Sequence, residues 1–406
     1  MIHMKTSFVF RARIALAFGF LLSLLLGCYP LIKKEVKGPE EAMTRVRFFF
    51  PSFEDDMDIQ SLRLAITKNL DYLYRLDPGY IFFYGPEKVT CRRVRQTQEA
   101  FLDLISQTTD PRQVRTYIKK HFLVMKARGM EGGGSVLFTG YFEPTYEASL
   151  ERNETFKYPI YRVPDDLVQI DLGLFRERFR GEKIVGRVEG HSVVPYYSRN
   201  EIDVERVLDN KNLEIAWLKD PVDVLFLQIQ GSGRLLLPDG STISVGYAAS
   251  NGHPYRSVGR YMIEKGYIDR EEISMQRIRE FLRHHPWLVD EILSQNPSYV
   301  FFRRLESGPL GNINVPLTPG RSIALDAKLF PKGALAFITC QKPVVDSTGH
   351  ITHWVPFSRF MLNQDTGGAI KGAGRADIFW GNGPYAELAA GHMKHEGELY
   401  FLIKKP

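Results

Sequence analysis

Apolar positions recur at helical spacing early in the chain. In "DIQSLRLAITKNLDYLYRL", Leu62, Ile66, Leu70 and Leu73 share one face, and Asp58 stands where a helix cap belongs. "TQEAFLDLISQ" and "DPRQVRTYIKKHFLVM" predict two more helices, the second with Asp110 as cap and Pro111 in its first turn. "EGGGS", Glu131 to Ser135, breaks this pattern, and from Val136 the period falls to two. "SVLFTGYFEPTYEAS" reads as strand, interrupted at Pro144. "DVLFLQIQGSGRLLLPDGSTISVGYA" reads as a hairpin. Leu225, Leu227 and Ile229 would line one face of it and Phe226, Gln228 and Gln230 the other, with Pro238-Asp239-Gly240 as the turn. Helix returns from Ser257 to Gln295. Arg270-Glu271-Glu272 is expected to open one helix there, and Ile278, Phe281 and Leu282 mark its buried side. The C-terminal part is again strand-like: "RSIALD", "ALAFITCQ", "WVPFSRFMLNQD", "GAIKG", "ADIFWG" and "GELYFLIKK". Short strands separated by Gly and Pro predict barrels. The expected fold is mainly β with peripheral helices, two barrel-like bodies with a cleft between them.

The N-terminus changes this picture. Lys5, Arg11 and Arg13 precede an apolar run from Ile14 to Leu26, short for a membrane span and suited to a signal peptide. The run ends Leu25-Leu26-Gly27-Cys28, which resembles a bacterial lipobox. That resemblance implies a signal peptide over 1–27, acylation of Cys28 and anchoring in a lipid bilayer. Tyr29, not Asp, follows the cysteine, as in lipoproteins kept at the outer membrane, facing the periplasm. Residues 28–50 are expected to be a tether. The whole chain has 406 residues, 44% hydrophobic, and a formal net charge of +6. It is long enough for two bodies and apolar enough for a large core. The basic residues are scattered, with no run that would track phosphates, so nucleic acid is not an expected partner. Cys91 and Cys340 are free to pair or to stay as thiols, and no cysteine or histidine spacing predicts a metal site.

Candidate chemistry centres on "QDTGGAIKGAGRADIFWG", Gln364 to Gly381. Asp365-Thr366-Gly367 matches the loop of aspartic proteases. Those enzymes need two such loops, so that two carboxylates share a proton, and the chain has no second copy. Asp365 reads instead as an acceptor in a tight turn with Gly367 and Gly368. Asp377, followed by Ile378, Phe379 and Trp380, could be desolvated enough to hold a proton near neutrality. Gln228, Gln230 and Ser232 in "QIQGSG" suggest a hydrogen-bonding wall for sugar hydroxyls and amides. Gly-Ser-Gly is no nucleophile elbow. Tyr141, Glu143, Asn251 and Tyr255 complete the candidate substrate contacts, though aromatics fill cores as readily as they stack on sugars.

Several segments in order carry a resemblance: "LFTGYFEP", "FLQIQGSG", "SNGHPYRSVG", "NPSYVFF" and the stretch from "IALDAKLFPKGALAFI" through "ADIFWG". Together they resemble the membrane-bound lytic murein transglycosylase A family with its three-aspartate domain. The resemblance spans roughly residues 55 to 406. It implies a double-psi β-barrel, residues 51–140 and 301–406, with a second barrel inserted at 141–300 and a glycan groove between them. It implies Asp377 as the catalytic acid/base, Asp365 and Asp326 as supporting carboxylates, and no cofactor or metal. The implied activity is that of a peptidoglycan lytic exotransglycosylase, although the residues alone do not separate cutting from chain ends from cutting within chains. The implied partners are peptidoglycan glycan strands, the bilayer through Cys28, and other cell-wall enzymes. A peptidoglycan-binding lipoprotein without catalysis and an aspartic protease are the alternatives.

Overall fold

The computed structural model describes residues 36–306 and 308–406. The signal peptide expected over 1–27, and Cys28, lie outside the described residues. The strands, in chain order, are β1 (Met43–Arg45), β2 (Ile81–Tyr84), β3 (Glu87–Thr90), β4 (Phe122–Ala127), β5 (Val136–Glu143), β6 (Thr145–Ser149), β7 (Tyr158–Tyr161), β8 (Val168–Asp171), β9 (Lys183–Glu189), β10 (Ser192–Pro195), β11 (Glu214–Leu218), β12 (Ser232–Leu236), β13 (Thr242–Ser250), β14 (Val300–Leu305), β15 (Ser322–Ala324), β16 (Leu335–Val345), β17 (Ile351–Asp365), β18 (Arg375–Asn382) and β19 (His395–Lys404).

Two closed sheets result. The first runs β19-β16-β17-β15-β18-β5 and closes because β5 also pairs with β19, with β4 and β1 extending it from β19. Its β15/β17 and β18/β5 contacts are parallel and the others antiparallel. This is the six-stranded barrel that the double-psi reading expects. The second sheet runs β14-β13-β12-β6-β11-β7, and a bridge between Arg162 and Phe302 joins its two ends. A small meander, β10-β9-β8, stands beside it. The chain passes from the first barrel into the second sheet at Pro144, between β5 and β6.

Helices Ile59–Tyr74 and Cys91–Gln107 cover the first barrel, where Phe101 packs on Phe360 with ring centroids 4.7 Å apart. As the pattern predicted, Asp58 caps the first of these, accepting from Ser61 N at 2.7 Å. Arg321, fully buried, donates to Asp55 at 2.6 Å and to the carbonyls of Asp58 and Phe360. Such a pair has its charges taken out of water, so it holds only because every donor finds a partner. It fixes the segment before the first helix against the strand end next to β15.

Several expectations need correcting. Residues Pro221–Gln230, expected as strand, form a helix. Asp220 caps it by accepting from Val222 N at 2.8 Å, Pro221 occupies its first turn, and Gly231 ends it at φ +76°. These stop and start signals outweigh β-branched content when the segment is buried on nearly every side. The hairpin is therefore β12–β13 alone. The helix starting at Pro111 ends at His121, and "FLVM" is β4. Arg270-Glu271-Glu272 is a turn, and the next helix, Met275–His284, starts with Ser274 as cap. "GAIKG" is a turn rather than a strand, and Pro384–His392 is a helix inside the part expected to be all β. Of the tether expected over 28–50, residues 28–35 lie outside the described residues, and the part from Ala42 belongs to the fold: Ala42 and Met43 are buried and β1 pairs with β4. Cys91 and Cys340 are separate buried thiols.

Candidate active site

β15 is three residues long and organises the site. Ala324, its last residue, pairs with Asp365 of β17 on one side and Asp377 of β18 on the other. With strands about 4.8 Å apart, the two aspartate backbones lie about 10 Å from each other. Asp377 in turn faces Thr139 across the parallel β18/β5 pair.

β5 presents alternate residues to the same face, so Thr139, Tyr141 and Glu143 point together. Each holds one charged group. Thr139 Oγ1 donates to Asp377 Oδ1 at 2.7 Å, and Tyr141 OH donates to Asp365 Oδ2 at 2.8 Å. Glu143 accepts from Arg234 Nε at 2.9 Å, across to β12 of the second sheet. Gly140 lies between the first two; a Cβ there would come within 2.6 Å of Trp380 Nε1 and 2.9 Å of the Ala390 backbone. Only glycine lets the helix and the Trp380 ring approach this strand.

The two aspartates differ in their hydrogen bonding. Asp365 is held through both oxygens by three donors: besides Tyr141, its Oδ1 accepts from Asn312 N at 3.0 Å and Thr366 N at 2.9 Å. Its neighbour Gln364 is fully buried and accepts from Ser322 Oγ at 2.6 Å, which pins the strand end. Asp377 has one donor, Thr139, and its second oxygen makes no hydrogen bond among the described residues. Both carboxyls sit over an apolar cluster of Tyr141, Leu317, Ala324 and Phe379, yet each keeps some contact with solvent. Burial pushes the Asp377 carboxyl up to about 7, against the pull of Thr139 and Arg375, and the negative Asp365 adds to the rise. Burial also pushes Asp365 up to about 6, although its hydrogen bonds and Lys332 favour the ion. Asp326 is a staple: it accepts from Lys328 N at 3.0 Å and from Gly372 N at 2.8 Å, fixing the loop that leads to Asp377.

The structure thus brings together Asp377, Asp365, Asp326 and Tyr141 from the sequence-based set. Gly367 and Gly368 form the turn after Asp365. Gln230 supports the site from behind, accepting from Phe142 N at 2.9 Å. The expected wall of Gln228 and Gln230 does not form. On a helix, positions two apart point about 200° from each other. Gln228 turns inward and accepts from buried Arg199. Ser232 is buried, and Asn251 spends its amide on the carbonyls of Tyr197 and Pro297 and on Tyr299 N. Tyr255 is 39% exposed. Thr139, Asn312, Gln364 and Lys332 were missed. Thr139 alone had a signal, standing two residues before Tyr141 on one strand face.

Residues 137–303 match the family described as the MltA specific insert domain, and residues 321–403 match the 3D domain. Membrane-bound lytic murein transglycosylase A of Escherichia coli K12 is 34% identical over 281 residues, 68% of each chain. The chain belongs to the membrane-bound lytic murein transglycosylase A family. The Vibrio cholerae member is 32% identical over 284 residues, 68% of this chain and 69% of that one. Among solved family members, the membrane-bound lytic murein transglycosylase of Agrobacterium tumefaciens superposes with a TM-score of 0.73 at 32% identity, covering 89% of this chain and 98% of that one. E. coli MltA with bound chitohexaose superposes with a TM-score of 0.68 at 26% identity, covering 93% and 98%. The 3D match covers β15 to β18 and most of β19 of the first sheet, the insert match covers the second sheet together with β5 of the first, and Asp326, Asp365 and Asp377 all lie within the 3D match.

Proposed function

We propose that this lytic murein transglycosylase cuts the β-1,4 bond between N-acetylmuramic acid and N-acetylglucosamine with Asp377 as its single acid/base. The observation that carries this reading is the asymmetry of the two aspartates: Asp365 is held through both oxygens by three donors, whereas Asp377 has one donor and a second oxygen without a hydrogen bond among the described residues, with its pKa pushed up to about 7. A carboxylic acid that is protonated near neutrality can donate to the glycosidic oxygen as the C1–O bond breaks. The resulting carboxylate can then take the proton of the muramoyl C6 hydroxyl, whose oxygen attacks C1 and closes a 1,6-anhydro ring. The proton returns to Asp377 and no water enters. Ordinary glycosidases need a second carboxylate to activate water or to attack the sugar. Here the substrate's own hydroxyl takes that place.

In this reading residues 51–140 and 301–406 are the catalytic body and 141–300 the inserted one, with glycan between them. Tyr141, Glu143 and Tyr255 are its candidate sugar contacts, and Gly367 and Gly368 leave backbone open to a ligand. Among the described residues no helix is long and apolar enough to cross a membrane. The membrane attachment of the family's named members is carried here by an acylated Cys28, placing the enzyme at the outer membrane facing the periplasm. Digestion of purified sacculi, read by mass spectrometry, tests the reaction. Muropeptides ending in 1,6-anhydromuramic acid are expected. Reducing ends would identify a hydrolase, and intact sacculi would leave a binding protein. For the anchor, Cys28→Ala should move the protein from the membrane to the soluble fraction, and unchanged sedimentation would refute acylation at that residue.

A further inference from the structure

The loop between β15 and β16 wraps the catalytic end of the barrel. It leaves where Leu325 N donates to Asp365 O at 3.2 Å and returns where Gly333 N donates to Asn363 O at 2.7 Å. Asn363 Nδ2 also donates to Pro331 O at 2.8 Å, and Asp326 ties the loop to Gly372. Both ends of this loop therefore rest on the strand that carries Asp365. Between it and the β2 hairpin lies a cavity of about 150 Å³, lined opposite the loop by Tyr72 of the helix Ile59–Tyr74 and by Tyr80, Ile81 and Phe83 at the hairpin. Tyr80 and Ile81 are 52% and 42% exposed at its mouth, large apolar groups that the fold leaves in water. The loop side contributes two cations, exposed Lys328 and half-buried Lys332. Neither forms an ion pair with a carboxylate among the described residues, although Lys332 lies in the field of Asp365, and no aspartate or glutamate lines the cavity. Burial lowers the Lys332 ammonium below its ordinary range against the pull of Asp365, so it would gain from a closer anion.

Apolar rings beside unpaired ammonium groups suit a short peptide that carries a carboxylate. A strand stripped of peptide offers only the lactyl carboxylate, held close against the sugar ring. Murein offers carboxylates further out together with apolar side chains, because each muramoyl residue bears a stem peptide on its lactyl ether, at the side of the glycan rather than along it. We propose that this cavity receives the stem peptide of a muramoyl residue bound at Asp377, with Lys328 and Lys332 binding its carboxylate and Tyr80 and Ile81 packing on its apolar part. The assignment rests on the murein reading above. It makes the cavity a specificity site, one that distinguishes peptide-bearing strands from bare ones without touching the bond that breaks.

Two substrates separate these roles: glycan strands from sacculi with their peptides, and the same strands stripped by an N-acetylmuramoyl-L-alanine amidase. The double variant Tyr80→Ala/Lys328→Gln changes two exposed side chains. Its kcat/KM on peptide-bearing strands is expected to fall about tenfold, mainly through KM. On stripped strands it should stay within about twofold of wild type, which also shows that the variant is folded. A soluble muramoyl tripeptide, titrated calorimetrically against both proteins, should bind the variant about tenfold more weakly. Equal losses on the two substrates, no loss on either, or unchanged binding of the muramoyl tripeptide would overturn the assignment. If the wild type cleaves neither substrate, the murein reading fails, and the titration still decides what the cavity binds.

Discussion

Asp377→Asn is expected to cut the release of anhydro-muropeptides from sacculi by at least about a thousandfold. A single positioned acid or base contributes roughly 10²–10⁴ in rate, and in the proposed mechanism one residue serves as both. The amide is nearly isosteric and can still accept from Thr139, so the barrel and its register should survive. What it cannot do is deliver a proton to the glycosidic oxygen or receive one from the C6 hydroxyl. Asp365→Asn provides the contrast. Its carboxylate accepts from Tyr141, Asn312 and Thr366, and an amide has only one accepting oxygen for donors that approach both. One buried donor would lose its partner, at a cost of about 1–3 kcal/mol. That predicts a misplaced turn and a rate about ten- to a hundredfold lower, with residual activity well above that of Asp377→Asn. Equally severe losses at the two positions would favour a proton-sharing pair, and the single-residue mechanism would have to be abandoned. The readout is the yield of anhydro-muropeptides per unit time, with circular dichroism as the check on folding.

These contrasts also show why some of the site was legible in the sequence and some was not. Asp377 stood out locally only as a carboxyl that could be desolvated; its acid/base role came from the family resemblance. The apolar residues that desolvate it follow directly in the chain, and strand alternation puts Asp377 and Phe379 on one face. Asp365 was legible as a turn residue, since a carboxylate before Gly-Gly accepts backbone N–H groups nearby. The partners that separate the roles of the two aspartates come from elsewhere. Thr139 and Tyr141 reach them through the parallel pairing of β5 with β18, and Asn312 reaches Asp365 from the loop before β15. Parallel neighbours are distant in sequence, so no local pattern announces them. The misread segment Pro221–Gln230 failed for a different reason. A short, almost wholly apolar run is compatible with a buried strand or a buried helix, because periodicity has no polar face to reveal. Its caps, Asp220-Pro221 and Gly231, held the answer, and with a helix there the supposed sugar-binding wall of Gln228 and Gln230 dissolves.

The pH dependence of activity and of stability should run in the same direction, for one physical reason. Desolvation raises the Asp377 pKa from an ordinary 3.8 to about 7 in the folded protein. In the proposed mechanism the acid form starts the reaction, so kcat/KM should be flat below pH ~7 and fall about tenfold per unit above it. The same shift is a linkage with stability. The folded state binds this proton more tightly than the unfolded chain does. The proton's stabilising contribution is therefore complete below about pH 4, and it is lost as the pH rises towards 7. At pH 8 the folded protein carries a buried carboxylate that the unfolded chain would place in water. Roughly three pKa units correspond to an upper bound of about 4 kcal/mol, and partial solvent contact reduces this to about 1–3 kcal/mol. Asp377→Asn removes the charge, so it should be about as stable as wild type at pH 4 and more stable by about 1–3 kcal/mol at pH 8. Asp365 titrates beside it, with its pKa raised to about 6, in both proteins; removing its charged neighbour relaxes it slightly in the same sense. Urea denaturation at the two pH values measures the difference. A variant that gains nothing at pH 8, or gains equally at both, would mean that the Asp377 carboxylate is well solvated in the fold. Its claim to be a proton donor near neutrality would fall with that result, since the stored cost of the buried charge is what keeps the proton in place.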